Sequence, residues 1–366
     1  MNNSPTVLQI NSKAIRHNLQ YFRSKLKTST KLLVIIKAFA YGSDPVAVAK
    51  LLTSEKVDYL AVADTQEGVV LRKTGIDLPI IVLHSQAENF EWLVEHNLEP
   101  DLYNFESFIS FYKLIKSKGL KDYPVHIKLN TGMNRLGFKP FELDKLRQII
   151  TNQNYLKIRS VYSHLAASED PEERKFTLQQ IDLYKKMYDQ LTESLTYKPL
   201  KHISNTSGIL NYPEAHFDMV RLGIGFYGFG NNKTETAKLK NVCNLISKIS
   251  QIQELEKGET VSYNRRFVVK EKSKVAVIPL GYADGISRGL SNGKGYVIIN
   301  RKKAFITGAV CMDIFMVDVS NIDCKTGDKV IIFDHQQQIL DFAKQLKTIP
   351  YEIITSISQR VRRDFI

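Results

Sequence analysis

The sequence predicts an α/β chain, an N-terminal (β/α)8 TIM barrel followed by a C-terminal, mainly antiparallel β domain. Three observations carry that prediction. Short apolar runs alternate with amphipathic helical stretches over roughly the first 230 residues. Eight such strand-then-helix units follow one another, the number that closes a barrel. From about Val242 the texture changes to short β-like runs separated by turns. At 366 residues, with 43% hydrophobic and 24% charged content, the chain has the length for a large core and the composition of a soluble globular protein.

Taken in order, the stretch TVLQI within the first ten residues reads as a strand that belongs to either domain, and Ser12 is suited to cap the helix after it. The predicted barrel strands are LLVIIK (32–37), YLAVA (59–63), PIIVLH (79–84), PDLYN (100–104), VHIKLN (125–130), IRSVYSH (158–164), KHISN (201–205) and VRLGIGFY (220–227). Between them, VAVAKLLTSEK and FTLQQIDLYKKMYDQL return apolar residues at three- and four-residue steps. Asp64 before TQEG and Asp170 before PEER read as helix starts, the second with proline just inside. The polar break GNNKTETAKLKN after the eighth strand sets the expected domains at 1–236 and 237–366, with residues 1–10 open to pairing in the second. There VAVIPLG, GYVIIN, FMVDV and KVIIF are the β-like runs, and a helix is expected around LDFAKQL.

The formal net charge of +13 invites a nucleic-acid reading, but Lys and Arg are scattered and form no compact basic recognition motif. The surplus suits anionic small molecules gathered around a cleft, so no nucleic-acid partner is expected. No apolar run approaches the roughly 18 residues of a membrane span, and no secretory signal stands at the start. Cys243, Cys311 and Cys324 make neither a disulfide framework nor a metal-spaced cluster. The expectation is a cytoplasmic protein with no membrane contact and no metal.

In LLVIIKAFAYG an ammonium follows five apolar residues, although unpaired ammonium groups rarely enter a core. The predicted barrel resolves this by setting Lys37 at the C-terminal end of the first strand, where barrel active sites gather. Lys128 and Asn130 end the fifth strand, His164 the sixth and Asn205 the seventh, while Arg221 lies in the eighth. Each alone suits a solvated barrel mouth. Five strand ends feeding one rim point to an enzyme without choosing its chemistry.

The stretch KAFAYG resembles the pyridoxal-phosphate lysine motif of alanine racemases, usually written KANAYG. Further similar segments arrive in the family's order: HIKLNTGMNRLGF, YSHLAASED, HISNTSGIL, MVRLGIGFYG, GETVSYNRRF, IPLGYADG, AVCMDIFMVDV and TIPYEI. The resemblance spans almost the whole chain. It implies that Lys37 would carry pyridoxal phosphate as an internal aldimine. Tyr41, Thr206 (where the family usually has serine), the amides of Gly223 and Ile224, and Tyr351 would cradle the phosphate, with Asn205 beside them. Arg221 would face the pyridine nitrogen and, remaining protonated, discourage pyridinium formation, which favours reprotonation over transamination. His164 would tune Arg221.

The same resemblance sets Arg135 near the substrate carboxylate, and the Met312 amide near it from across a dimer interface that also presents Cys311 and Asp313. Lys128 stands at a position often carbamylated in the family, and the resemblance implies an N6-carboxylysine here whose oxygens hold Arg135; an unmodified Lys128 would repel Arg135 unless another anion compensated. The implied activity is interconversion of L-alanine and D-alanine through an external aldimine by a homodimer with shared active sites. Lys37 would take the α-proton of the D-enantiomer and Tyr263, donated across the interface, that of the L-enantiomer. In bacteria this supplies D-alanine for peptidoglycan. The alternatives are a racemase of broader amino-acid specificity, a related decarboxylase, and a noncatalytic pyridoxal-phosphate-binding protein. No acidic partner for the pyridine nitrogen supports the decarboxylase, and VSYNRRF, AVCMDIF and PYEI argue against the mere binder. Departures from the family pattern are Phe39 for asparagine, Ser43–Asp44 for histidine–glycine, Asn130 for aspartate, Leu222 for proline, Asn264 for glycine, and Arg362. They bear on rate and loop geometry rather than on reaction class.

Overall fold

The first strand, β1 (Val7–Ile10), stands apart from the eight that follow it. Those eight are β2 (Lys31–Ile35), β3 (Tyr59–Val62), β4 (Ile80–Val82), β5 (Glu99–Leu102), β6 (Tyr123–Lys128), β7 (Leu156–Tyr162), β8 (Leu200–His202) and β9 (Met219–Leu222). In this computed structural model, which describes residues 4–366, they form one parallel sheet in the order β8-β7-β6-β5-β4-β3-β2-β9. Residues 1–3 of the expected first domain lie outside the described residues. Amide hydrogen bonds from Asp218 to Lys201 O (3.0 Å) and from Arg221 to Ser204 O (3.0 Å) close the two ends into a barrel. The predicted strands match in place but overrun at their C-terminal ends. Lys37, Asn130, His164 and Asn205 sit just past the sheet, on the rim.

Helices connect the strands and cover the outside. Asp64 caps Thr65–Lys73 as expected, its side chain accepting from the Glu67 amide at 3.0 Å. Asp44 caps Pro45–Ser54 in the same way, accepting from Val46 and Ala47, so this departure from the family pattern secures the helix that follows Lys37. Two expected starts are corrected. Asn11, not Ser12, caps the first helix, accepting from the Ala14 amide at 3.0 Å. Asp170 caps no helix: it accepts from the Glu172 amide in a turn, and the helix begins only at Arg174.

The C-terminal strands are β10 (Cys243–Lys248), β11 (Gln251–Leu255), β12 (Thr260–Val261), β13 (Phe267–Val268), β14 (Ser273–Ile278), β15 (Tyr296–Ile299), β16 (Lys302–Phe305), β17 (Phe315–Asp318), β18 (Lys329–Phe333) and β19 (Arg362–Phe365). One sheet runs β16-β15-β18-β10-β1-β19, and a second runs β11-β14-β17. All their pairings are antiparallel except β1 with β19. The strand left open between the domains thus lies in the C-terminal sheet. LDFAKQL belongs to the helix Gln336–Leu346, and a second helix, Pro350–Thr355, brings Tyr351 toward the barrel mouth. Among the described residues, no helix is long and apolar enough to cross a membrane.

Candidate active site

Lys37 opens a one-turn segment, Lys37–Gly42, whose hand is the reverse of an ordinary helix. Ala38, Phe39, Ala40 and Tyr41 all have φ between 50° and 55° and ψ between 45° and 54°. The left-handed conformation costs an L-residue roughly 1–2 kcal/mol, so four in a row need support from their surroundings. That support is visible. The Ala38 amide donates to Glu67 Oε1 at 2.6 Å, while Glu67 Oε2 accepts from the Ala63 amide at 2.8 Å. Gly42 (φ +82°) lies against the backbone of Ile354, where a Cβ would overlap a carbonyl oxygen, and its own carbonyl accepts from Arg363 Nη2 at 2.9 Å. The Lys37 amine is held below the ordinary lysine range by burial and by Arg135 and Lys128, with Glu67 pulling the other way.

The reversed turn carries Tyr41 inward. Its ring stacks on Tyr227 (4.5 Å between centroids) and tilts toward Tyr351 (5.9 Å). Burial raises both the Tyr41 and Tyr351 phenols, the second to about 12, so both are neutral donors at working pH. Thr206 Oγ1 accepts from the amides of Gly223 (3.1 Å) and Gly225 (3.3 Å), which leaves its own O–H to donate outward. The Gly223 amide, expected at the phosphate, is turned to Thr206 here, while a Cβ on Gly223 would come within 3.1 Å of Tyr41 Oη, so a glycine keeps this corner open. The Ile224 amide donates to no protein group among the described residues. Two phenols, one hydroxyl and one backbone amide make a set of donors suited to a dianion. Asn205 has a more structural place: its Oδ1 caps the helix Thr206–Asn211 through the Gly208 amide and accepts from Ser168 Oγ.

On β9, two residues before Gly223, Arg221 is buried and its hydrogen bonds fix its plane. Nη2 donates to Ser163 O (2.7 Å), Ile203 O (2.9 Å) and His164 Nδ1 (3.2 Å), and Nη1 to His202 Nδ1 (2.9 Å). Because a guanidinium only donates, both Nδ1 atoms must be bare, which sets the imidazole tautomers. Burial and the Arg221 charge hold both histidines well below the ordinary range, so both are neutral. From His202 the chain continues through Nε2 to Ser160 Oγ (2.9 Å), from there to His126 Nδ1 (2.6 Å), and from His126 Nε2 to Glu99 (2.7 Å). A buried cation at the mouth is thereby linked to a carboxylate deep in the barrel.

Lys128 and Asp101 sit on neighbouring strands with 3.6 Å between Nζ and Oδ2, and Tyr162 Oη donates to the same oxygen at 2.7 Å. Asn130 Oδ1 accepts from the amides of Gly132 and Asn134 and so shapes the loop carrying Arg135, which is exposed. Tyr263 and Met312 are elsewhere in this chain. They are 68% and 54% exposed and line a cavity of about 590 Å³ in the C-terminal domain, together with Ser262, Cys311 and Asp313. No barrel-mouth residue lines that cavity. Tyr263 is presented by strained backbone, with φ of 69° at Ser262, 60° at Asn264 and 52° at Arg265. Asparagine tolerates this region better than most side chains, which accounts for Asn264 in place of glycine. The Met312 loop is pinned by amides of Tyr282 to Cys311 O (2.9 Å) and Ala283 to Met312 O (3.0 Å), while the Met312 amide itself donates to no described group.

Sequence reasoning missed Glu67, Glu99, Asp101, His126, Ser160, Tyr162 and His202. A signal was present for several. Asp101 follows Glu99 by two, as Lys128 follows His126 and Tyr162 follows Ser160, and residues two apart on a strand share a face. With an anion cradle, a fixed guanidinium and a lysine held below its ordinary range gathered at the strand ends, the barrel mouth fits a phosphorylated pyridine aldehyde.

Comparison with known proteins agrees. The N-terminal domain model of alanine racemases matches residues 10–230, and the C-terminal domain model residues 242–365. The alanine racemase of Thermodesulfovibrio yellowstonii is 38% identical over 367 residues, covering 98% of this chain and 97% of that protein. A solved alanine racemase from Clostridium difficile 630 superposes with a TM-score of 0.94 at 36% identity, covering 100% of this chain and 97% of the other. The alanine racemase of Bartonella henselae, solved with covalently bound pyridoxal phosphate, has a TM-score of 0.89 at 28% identity over 99% of each chain.

Proposed function

The chain belongs to the alanine racemase family, and we infer that it interconverts L-alanine and D-alanine on pyridoxal phosphate as a cytoplasmic homodimer. When bound, pyridoxal phosphate supplies the electron sink that makes the substrate Cα–H bond acidic. Lys37 Nζ moves a proton at one face of Cα, that of D-alanine. Tyr263 of the partner subunit moves a proton at the other face, so neither group has to cross the substrate plane. Tyr41, Thr206, Ile224 and Tyr351 bind the phosphate, with Gly223 giving it room and Asn205 holding the helix start behind it. Arg221 keeps its proton and donates toward the pyridine nitrogen, with His164 orienting it. Arg135 and the amide of Met312 orient the substrate carboxylate. The activity supplies D-alanine for cell-wall peptidoglycan.

One observation carries the shared-site reading: Tyr263 and Met312 are exposed and line a cavity that contains no part of the barrel mouth. A mixed-dimer experiment tests it. Lys37→Ala and Tyr263→Phe are each expected to lose roughly 10²–10⁴ of the racemisation rate. Dissociated, mixed and reassociated, they form heterodimers that hold one intact site, restoring about a quarter of wild-type activity if pairing is random. Failure to complement, in mixtures shown to contain heterodimers, would refute sharing. In deuterated water, Tyr263→Phe should still exchange the α-proton of D-alanine but not that of L-alanine. Equal exchange from both enantiomers would remove Tyr263 from its role.

A further inference from the structure

We propose that Asp101 is the resident anion on the Lys128–Arg135 side of the site, and that Lys128 stays an ammonium ion rather than taking up carbon dioxide. The proposal rests on the reading above that these residues line the substrate site.

Asp101 lies on β5 with none of its surface exposed. Oδ2 faces Lys128 Nζ at 3.6 Å and accepts from Tyr162 Oη at 2.7 Å, while Oδ1 is buried without any hydrogen-bond partner. Burial pushes the Tyr162 phenol far above its ordinary range, so Tyr162 is a neutral donor and Asp101 the acceptor. A proton on Asp101 would have to sit on Oδ1, which faces no described acceptor. The contacts therefore fit the ionised carboxylate. Burial opposes that form, and the Lys128 charge is the largest influence favouring it. Remove the ammonium and a lone carboxylate is stranded inside the barrel.

Carbamylation would do that. The neutral amine bonds to the carbon of CO₂ and releases one proton, so –NH₂ becomes –NH–COO⁻. The local charge changes from one cation to one anion, set beside an existing carboxylate. Two adjacent carboxylates cannot both stay ionised without a large penalty. Asn130 offers no competing charge and is spent on the loop amides. In this chain the negative charge comes from a strand residue. The ring of Tyr162 adds to the arrangement, with Lys128 Nζ 5.3 Å and Arg221 Cζ 5.2 Å from its centroid.

Asp101 is thus a positioning residue, acting on the substrate side through Lys128, which it holds in place. The test is ¹³C NMR of the holoenzyme in ¹³C-bicarbonate, with Lys128→Ala as the assignment control. The expected wild-type spectrum has no carbamate resonance that disappears in Lys128→Ala. Asp101→Asn should raise KM for L-alanine about tenfold with cofactor content and visible spectrum unchanged, as loss of carboxylate positioning predicts. A Lys128-dependent carbamate resonance in the wild type overturns the proposal, as does an Asp101→Asn enzyme with wild-type KM. If that variant does not fold, the wild-type spectrum alone decides, and it is read whether or not the protein racemises alanine.

Discussion

Gly42→Ala is the sharpest probe of the turn that follows Lys37. A methyl group there faces two separate costs. Gly42 has φ +82°, where an L-residue loses roughly 1–2 kcal/mol. The new Cβ would also overlap the carbonyl oxygen of Ile354 and lie 3.1 Å from its carbon and 3.3 Å from Thr355 Cα. These are backbone atoms and cannot rotate away, so the helix Pro350–Thr355 must shift, an overpacking cost of about 1–3 kcal/mol. Together the two predict a loss of about 2–5 kcal/mol. Gly75→Ala separates them, because Gly75 has the same φ of +82° with nothing within 4 Å of its added Cβ. It should lose only the conformational share, roughly 1–2 kcal/mol. Urea unfolding of both variants gives the difference directly. Gly42→Ala should also weaken cofactor retention, because the displaced helix carries Tyr351, whereas Gly75→Ala should not. Equal destabilisation of the two variants, with cofactor retention intact in both, would show that the close approach to Ile354 does not constrain the site.

Arg135→Ala should move the pH midpoint for capture of pyridoxal phosphate by the apoprotein upward, because burial and then Arg135 hold the Lys37 amine down. The growth of visible absorbance against pH reads it, and an unchanged midpoint would show that Arg135 does not act on Lys37. Stability should fall as pH drops below about 6.5, because His164 and His202 are depressed in the folded state and the unfolded chain binds protons first. The slope is about 1.4 kcal/mol per pH unit for each histidine, countered nearer the carboxylate range by the raised pKa values of Asp101 and Glu67. His164→Asn should reduce that slope in unfolding measured between pH 5 and pH 7, and a slope equal to wild type would count against a buried neutral His164.

Much of the barrel's first half was legible because β2, β3 and β4 are apolar runs buried on both faces, a pattern that length and spacing separate from helices. Their ends were less so. LLVIIK reads as six strand residues, but pairing stops at Ile35, before the chain reaches the lysine. Ser12 and Asn11 are both competent caps, and only the geometry of the Ala14 amide selects the second. The proline after Asp170 suggested a first helical turn, whereas the chain makes a separate turn there. The left-handed turn leaves no local signature: KAFAY contains no glycine, and its conformation comes from Glu67, Ile354 and Arg363, which are far away in sequence. For the same reason Phe39, at φ 54° and 52% exposed, looks like a plain substitution until the backbone is seen. The polar core of the barrel was readable from the two-residue spacing of Glu99 and Asp101, His126 and Lys128, and Ser160 and Tyr162. Tyr263 and Met312 carry no chemistry in their own neighbourhood, and it was motif resemblance that singled them out.

The position of β1 matters while the protein is being made. Val7–Ile10 is stitched between β10 and β19, so a strand translated near residue 7 completes its pairing only with one translated near residue 362. About 350 residues separate them, or roughly 20–70 s of translation at about 5–20 residues/s. Throughout that interval a short apolar strand waits with its hydrogen-bonding edge toward β19 uncovered, a standing invitation to neighbouring nascent chains. Slowing translation late in the message should therefore lower the soluble yield more than slowing it early, even though the last barrel strand ends at Leu222.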